Sequence, residues 1–319
     1  MAEFMEQRER VEAARRPEHE LGIPRPAVRA ATLGRGMGWL PDLPDFRDYG
    51  AGHEKVLPEL QKTHAAEIHH ALKRSADLRP WCSPVEDQGA LGSCTAQAGV
   101  AIYEYFERRA KGRHLDASRL FLYKATRNML HLAGDTGAYV RTTMGAMRIF
   151  GIPPEEYWPY DPSSLDLEPP AFCYAFAQSF QALVYYRLDE PGLSAEDLLA
   201  RIKTNLSSGL PAMFGFTVYD SISQAATTGK VPFPMPGERI LGGHAVAAVG
   251  YDDELAIQNQ APGSPELRGA ILIRNSWGTG WGETGYGWLP YEYVRRGLAI
   301  DWWSLVKGEW MDTGAFQLQ

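Results

Sequence analysis

The longest amphipathic pattern in the chain follows Cys94. Apolar residues recur at helical spacing from Ala96 to Ala110, and Gly112 then supplies a stop signal. The pattern therefore predicts a helix with Cys94 at its N-terminus. Unpaired N–H groups and the helix macrodipole favour an anion at such a position. We therefore expect a lowered thiol pKa at Cys94 and a thiolate available as a nucleophile.

The remaining pattern is mainly helical before residue 160 and mainly strand-like after residue 171. Between the two parts, residues 161–170 are rich in proline and predict a crossing between lobes. Apolar spacing and turn signals predict helices at 55–75, at 115–123, in a stretch ending near Gly151 and from Ser194 to Gly209, and strands at 180–186, 211–218, 244–251 and 271–274, with a hairpin tip at 253–268.

The first fifty residues have a different character. Residues 1–30 mix acidic and basic side chains with few apolar ones, which is typical of a weakly ordered segment. In residues 31–50, Gly34, Gly36 and Gly38 are followed by Pro41 and Pro44, which favour an extended path that can lie in a groove. Met1–Arg10 has no apolar core, so we predict no signal peptide. Cytoplasmic location and export by a route not visible in the sequence both stay open.

Composition excludes several classes of protein. The 319 residues carry a net charge of −7, which argues against nucleic acid as the main partner. No apolar run approaches the length of a membrane span, so no membrane partner is expected. Three cysteines cannot build a disulfide framework. If Cys94 is a free nucleophile, one bridge between Cys82 and Cys173 remains possible.

A nucleophilic thiolate needs a base, and the base needs an orienting partner. His244 begins a run of small and β-branched residues that predicts a buried strand, and Asn275 follows a second predicted strand. Both residues are too far from Cys94 in sequence for local contact. The three side chains can therefore meet only through the fold.

The chain resembles the papain family of cysteine peptidases in three separated motifs, and the resemblance covers residues 78–305. The motifs are Gln88…Gly92-Ser93-Cys94, His244-Ala-Val-Ala-Ala-Val-Gly-Tyr251 and Asn275-Ser-Trp-Gly-Thr-Gly-Trp-Gly-Glu283. The resemblance implies an α+β, two-lobed fold with the active-site cleft between a mainly helical lobe and a mainly antiparallel, β-barrel-like lobe. It implies an N-terminal extension at 1–77, a helical lobe with the nucleophile at 78–170 and a β-rich lobe with His and Asn at 171–319.

The same resemblance implies four catalytic residues and no cofactor or metal. Cys94 would attack a peptide carbonyl, and His244 would protonate the leaving amine and later activate water. Asn275 would hold the imidazole ring. The side-chain amide of Gln88 and the backbone N–H of Cys94 would bind the developing oxyanion.

Substrate contacts are expected from three further positions. Gly137, in a glycine-containing loop, would pair its backbone with the substrate, Gly243 would lie beside the base, and Trp277 would shield the His–Asn hydrogen bond. The chain departs from the family at Leu91, where a disulfide cysteine is usual, and at Thr95, where a tryptophan is common.

These features predict a cysteine endopeptidase that acts on peptides or proteins. Its N-terminal extension would either cover the cleft and keep the enzyme latent or form a flexible tail and an arm packed elsewhere on the surface. An exopeptidase, an amidase or a transpeptidase would use the same scaffold and chemistry. A catalytically idle, papain-like binding module is the alternative from another class.

Overall fold

Helices dominate the first half of the chain and strands the second. The computed structural model describes residues 34–69, 71–112, 114–308 and 311–312, so the predicted weakly ordered stretch at 1–30 lies outside it. The helices are α1 (Leu57–Gln61), α2 (Cys94–Lys111), α3 (Arg119–Met129), α4 (Val140–Ile149), α5 (Ala171–Ala177), α6 (Ala195–Ser207), α7 (Ala225–Thr228) and α8 (Glu292–Arg295). The strands are β1 (Trp39–Leu40), β2 (Ser75–Asp77), β3 (Ala138–Tyr139), β4 (Val184–Arg187), β5 (Ala212–Tyr219), β6 (Ile240–Gln258), β7 (Glu266–Arg274), β8 (Tyr286–Pro290), β9 (Ala299–Gly308) and β10 (Met311–Asp312).

Helix α2 is the central element of the helical lobe. Every residue from Cys94 to Glu107 is buried, as expected for a helix that is surrounded by other elements. Gly112 ends the helix in the left-handed conformation, with φ of +67°, and its N–H donates to the carbonyl of Arg108. The predicted helix and its stop signal are therefore confirmed.

Side-chain caps fix the starts of two other predicted helices. The hydroxyl of Ser118 accepts from the N–H of Phe121 at the start of α3, four residues later than predicted. Ser194 accepts from the N–H of Asp197 in the same way and starts α6, as predicted. Helix α4 ends just before Gly151, also as predicted.

An antiparallel sheet forms the second lobe. Its strand order is β10–β9–β5–β6–β7–β8, with β2 also beside β6 and β4 also beside β9. The register places Phe216 of β5 opposite His244, and Ala247 of β6 opposite Arg274 at the end of β7. Asn275 follows Arg274 directly, so this pairing brings Asn275 to the same end of the sheet as His244.

The predicted helix at 55–75 is wrong. Only α1 forms there, His64 then turns the chain with a left-handed φ of +62°, and residues 75–77 pair with β6 instead. The apolar stripe was too thin, because only Leu60 of its four apolar positions is fully buried. Too little apolar surface was available to hold a longer helix against the body.

Several strand boundaries also differ from prediction. Helix α5 and a 3₁₀ turn at 178–180 precede β4, so that strand begins at Val184 instead of residue 180. Strands β6 and β7 continue into the predicted hairpin tip and leave a turn of only 259–265. This part of the hairpin is exposed and rich in polar residues. The alternation of apolar and polar positions therefore does not distinguish it from a loop.

The two lobes meet along α2. The helix packs against α3 and α4 on one side and against β5 and β6 on the other. The fold is therefore α+β and two-lobed, as predicted, and Cys94 begins the helix at the junction. Within the described residues, every helix is too short or too polar to serve as a membrane span.

Candidate active site

Cys94 is placed by the loop that precedes α2. The N–H of Gly92 donates to both carboxylate oxygens of Asp135, at 2.9 and 3.0 Å, which fixes this loop against the helical lobe. The sulfur is fully buried and accepts a hydrogen bond from the N–H of Gly38 at 3.4 Å. The backbone of Ala245, the residue after His244, also hydrogen-bonds to the sulfur. The fold thus brings the cysteine and histidine motifs together.

His244 and Asn275 form a buried pair, with Nε2 and Oδ1 2.8 Å apart. An amide oxygen only accepts, so Nε2 carries the hydrogen and Nδ1 is the proton-free nitrogen of the neutral ring. Nδ1 is buried and has no hydrogen-bond partner. Trp277 stacks on the imidazole, with centroids 4.7 Å apart, and is only 2% exposed. It therefore covers the pair and offers little surface to a substrate.

The side chain of Gln88 is held at both ends, next to the loop that precedes Cys94. Its Oε1 accepts from the hydroxyl of Ser276 at 2.5 Å, and its Nε2 donates to the carbonyl of Leu91 at 2.7 Å. The same Nε2 donates to the carbonyl of Gly36 at 3.1 Å. Because Ser276 binds the oxygen, the amide nitrogen is directed toward the loop before Cys94.

Residues 34–48, called the arm from here on, run through this site. The N–H of Gly36 donates to the carbonyl of Gly89, and the carbonyl of Gly38 accepts from the N–H of Ala138 at 2.8 Å. Strand β1 of the arm then pairs in parallel with β3. Strand β1 lies in the groove between the lobes, whereas a turn from Asp45 to Asp48 follows the prolines from which an extended path was predicted.

The two glycines predicted to contact a substrate both contact the arm. A Cβ atom at Gly137 would lie 2.2 Å from the carbonyl oxygen of Gly38, and one at Gly243 would lie 2.7 Å from the ring of Trp39. The N–H of Gly137 donates to the hydroxyl of Tyr123 at 2.9 Å. The neighbouring N–H of β3, not that of Gly137, is therefore the one that binds the arm.

Burial shifts the pKa values of both the Cys94 thiol and the His244 imidazole. It raises the pKa of the Cys94 thiol to about 11 and lowers the pKa of His244 to about 4. Between these values both groups are neutral. The lowered thiol pKa expected from the helix N-terminus is therefore wrong for this arrangement, because desolvation of the sulfur outweighs the helix dipole.

The polar groups that support the site have no motif in the sequence. The carboxylate of Asp135 also accepts from the hydroxyl of Tyr123 at 2.7 Å, so one side chain links the loop before Cys94 to the loop of Gly137. The hydroxyl of Tyr160 contacts that of Ser93 at 2.6 Å and donates to the carbonyl of Gln88 at 3.0 Å. In the sequence, the supporting role of Asp135 was indicated only by its position two residues before Gly137.

The other cysteines are not positioned for catalysis. All three cysteines are free, so the possible bridge between Cys82 and Cys173 does not form. Burial raises the pKa of the Cys82 thiol, which makes it a poor nucleophile. Among the residues that the structure describes, no group of three or more His, Cys, Asp or Glu side chains is arranged to hold a metal ion.

Comparisons with known proteins agree with this geometry. The family model "Papain family cysteine protease" matches residues 72–298. An uncharacterised peptidase C1-like protein of Acanthamoeba polyphaga mimivirus is 34% identical over 286 residues, which cover 86% of this chain and 88% of the viral protein. Chymopapain of Carica papaya is 26% identical over 212 residues, which cover 64% of this chain and 50% of chymopapain.

A solved structure shows the same fold. The crystal structure of xylellain, a cysteine protease from Xylella fastidiosa, superposes with a TM-score of 0.68 at 33% identity, over 85% of this chain and 96% of xylellain. With the matched family model and the viral relative, this likeness shows that the chain belongs to the papain family of cysteine proteases and is a papain-like cysteine peptidase.

Proposed function

We propose that the chain is a cysteine endopeptidase that its own arm holds latent. One observation carries the proposal: the N–H of Gly38 donates to the sulfur of Cys94 at 3.4 Å. It lies in the position that the carbonyl carbon of a substrate would have to take. A backbone N–H offers the sulfur no electrophilic carbon. The arm therefore blocks the nucleophile without being positioned as its substrate.

Departure of the arm would expose the sulfur and the imidazole to water and remove the desolvation that keeps both neutral. The thiol proton can then pass to Nδ1 of His244, which has no other partner. Asn275 accepts from Nε2–H before and after this transfer, so the ring keeps its orientation. A thiolate beside an imidazolium is the activated form of this nucleophile.

The reaction would then proceed as acyl transfer. The sulfur of Cys94 forms a bond to the peptide carbonyl carbon, and the imidazolium of His244 gives its proton to the leaving amine as the C–N bond breaks. Water next attacks the thioester while His244 takes its proton. This step releases the acid and returns the thiol to Cys94.

Gln88 is the side-chain donor for the oxyanion. Its Nε2 donates to the carbonyl of Gly36 in the arm, which shows that a carbonyl oxygen fits within reach of this amide. Ser276 holds the opposite end of the amide, so Nε2 stays directed into the site when the arm is absent. Loss of one such donor typically lowers the rate by ~10²–10³.

The path of the arm supports an endopeptidase over an exopeptidase. Arm residues bind on both sides of the sulfur, with Gly36 at Gly89 and Leu40 opposite Tyr139. A continuous chain therefore fits through the site in both directions from Cys94. An exopeptidase requires one of these directions to be closed.

The test is digestion of an unstructured protein by the chain without residues 1–50, with fragments identified by mass spectrometry. We expect cleavage at internal bonds, its loss in Cys94→Ser and its retention in Cys82→Ser as the matched control. Release of only one or two residues from a chain end would favour the exopeptidase. Binding without any cleavage would favour the idle binding module and overturn the proposal.

A further inference from the structure

The carboxylate of Asp135 joins two loops of the active site. It accepts from the N–H of Gly92, at 2.9 and 3.0 Å from its two oxygens, and from the hydroxyl of Tyr123 at 2.7 Å. A Cβ atom at Gly92 would lie 3.1 Å from this carboxylate and 3.6 Å from the backbone nitrogen of Gly137. The loop before Cys94 and the loop of Gly137 therefore lie side by side, with Asp135 between them.

The Leu91–Gly92 peptide carries the effect of Asp135 to Gln88. This peptide donates its N–H to Asp135, and its carbonyl oxygen accepts from Nε2 of Gln88 at 2.7 Å. A trans peptide unit is planar, with its N–H and C=O on opposite edges. The carboxylate that fixes the N–H edge therefore also fixes the acceptor toward which the Gln88 amide points.

The amide nitrogen of Gln88 has two hydrogens, and they have separate partners. One points to the carbonyl of Leu91 in the body of the protein, and the other points to the carbonyl of Gly36 in the arm. When the arm is absent, the hydrogen that pointed to Gly36 becomes free for a substrate oxygen. Its direction is then set by the Leu91 carbonyl at the nitrogen end and by Ser276 at the oxygen end.

The hydroxyl of Tyr123 extends the link to the loop of Gly137. Burial, together with the carboxylate of Asp135 beside it, raises the pKa of Tyr123, so the hydroxyl keeps its proton and donates to Asp135. The hydroxyl oxygen accepts from the N–H of Gly137 at 2.9 Å. The next N–H, that of Ala138, binds the carbonyl of Gly38 in the arm. Asp135 therefore fixes the position of the Gln88 amide relative to the strand that binds an extended chain.

The charge of Asp135 does not assist the nucleophile. Burial is the main cause of the raised pKa of the Cys94 thiol, and the negative charge of Asp135 adds a smaller increase. A carboxylate at this position therefore disfavours the thiolate. What the site gains from Asp135 is a pair of hydrogen-bond-accepting oxygens and not a charge.

We propose that Asp135 is a positioning residue for oxyanion binding, which holds the Leu91–Gly92 peptide, and through it the amide of Gln88, against the loop of Gly137. The inference rests on the proposed function, since it assigns a further role in the same peptidase site. Without the oxygens of Asp135, the Leu91–Gly92 peptide can rotate and Gln88 loses the acceptor that directs it. A displaced donor stabilises the developing oxyanion less well.

The experiment measures two rates for each variant of the full-length chain. One is kcat/KM for a fluorogenic peptide amide, and the other is the rate constant for alkylation of Cys94 by iodoacetamide, followed by mass spectrometry. In alkylation the sulfur bonds to the CH₂ carbon and iodide leaves, so no oxyanion forms. Both reactions need the same folded, open enzyme with an ionised Cys94. The ratio of cleavage to alkylation therefore cancels the open fraction and isolates the oxyanion site.

We expect Asp135→Ala to lower this ratio about tenfold or more, which is part of the ~10²–10³ that loss of one oxyanion donor costs. Asp135→Val, which fills the volume without accepting a hydrogen bond, should do the same and serves where Asp135→Ala does not fold. Asp135→Asn should stay within about threefold of the unmodified chain, because its amide oxygen can accept from both donors. Asp166→Asn is the matched control and should leave the ratio unchanged, because this carboxylate binds the N–H of Gly134, next to Asp135, but is 54% exposed.

A double substitution tests whether Asp135 acts through Gln88. Gln88→Ala should lower the ratio by ~10²–10³, and Asp135→Ala should then lower it less than about threefold further, since the amide that it positions is gone. Effects that multiply in the double variant, an unchanged ratio in Asp135→Ala, an Asp135→Asn as impaired as Asp135→Ala or an equal fall in Asp166→Asn would each overturn the role of Asp135. An unchanged ratio in Gln88→Ala, or no cleavage by the unmodified chain, would instead overturn the proposed function itself.

Discussion

The arm is held by different forces along its length. Its inner part, residues 36–40, makes backbone hydrogen bonds to Gly89 and Ala138 in the helical lobe and buries the side chains of Met37 and Trp39. Its outer part, residues 41–48, exposes its large apolar side chains: Leu43 is 68% exposed and Phe46 is 95% exposed. The inner part is therefore packed like a core, whereas the outer part has little apolar contact with the body.

Charge holds the outer part instead. Arg141 binds the carboxylates of Asp42 and Asp48 and donates to the carbonyl of Leu43 at 2.7 Å. Arg187, itself 1% exposed, donates to the carbonyl of Asp42 at 2.9 Å and lies 3.4 Å from Asp48. In the proposed latent enzyme, the inner part would therefore block Cys94, and the outer part would supply much of the free energy that holds the arm in place.

Removal of both parts should have the largest effect. We expect deletion of residues 1–50 to raise turnover of a peptide substrate roughly 10- to 1,000-fold, because minor open states are typically populated at about 0.1–10%. Initial rates per active site, for full-length and truncated protein, measure this effect. Equal rates would show that the arm does not restrain the enzyme.

Acid should destabilise the closed protein through the buried imidazole of His244. Burial lowers the pKa of His244 from its ordinary 6.5 to about 4. The unfolded chain binds a proton below about 6.5, whereas the folded chain binds it only below about 4, so stability is lost as pH falls between these values. The loss is at most about 3 kcal/mol.

Urea unfolding of the full-length protein and of His244→Gln across this pH range isolates the contribution of His244 to stability. The contributions of the other titrating groups are common to both proteins and cancel. The difference in free energy of unfolding between the unmodified protein and His244→Gln should decrease toward low pH. This decrease should be smaller in the truncated protein, where the ring faces water. A difference that does not change with pH would contradict burial of a neutral imidazole.

Loss of the outer ion pairs should release the arm in part. We expect Arg141→Met to raise the activity of the full-length protein about tenfold, since hydrogen bonds between charged groups contribute roughly 1.5–3 kcal/mol and this guanidinium is partly exposed. The truncated protein lacks the partners and should not respond.

Arg47→Met is the matched control, because the Arg47–Asp45 pair lies within the outer part and the arginine is 73% exposed. Its activity should equal that of the unmodified chain. A response to both substitutions would indicate a general effect of net charge. A response to neither would show that the outer part does not help to hold the arm in the cleft.

The smallest effect is expected at the buried side chain of Trp39. Trp39→Phe keeps an aromatic ring but loses the hydrogen bond to Asp301, which is worth about 1 kcal/mol. Full-length activity should therefore rise only about fivefold. A rise as large as that caused by truncation would mean that one side chain, and not the whole arm, maintains closure.

The sequence was most informative where chemistry restricts residue types. The candidate nucleophile, the candidate base and their supporting amides occur in short motifs, and the fold brings Cys94, His244, Asn275 and Gln88 into one site. Helix α2 was predictable because its apolar spacing and its terminal glycine agree.

Long-range contacts were not predictable in this way. Trp39 and Asp301 are 262 positions apart, and no motif connects them. The prolines of the arm indicated an extended path but not its location, so cleft and surface stayed open as alternatives. An aspartate between Ile300 and Trp302 in an apolar run was the one signal of a buried polar group.

In the proposed latent enzyme, the arm seals an otherwise competent Cys94. The most direct test is the rate at which an epoxide-type cysteine-protease inhibitor labels Cys94, measured by mass spectrometry with and without residues 1–50. We predict rapid labelling of Cys94 in the truncated protein, slow labelling in the full-length protein and none in Cys94→Ser. Equal rates for the two forms, or label on Cys82, would contradict the account.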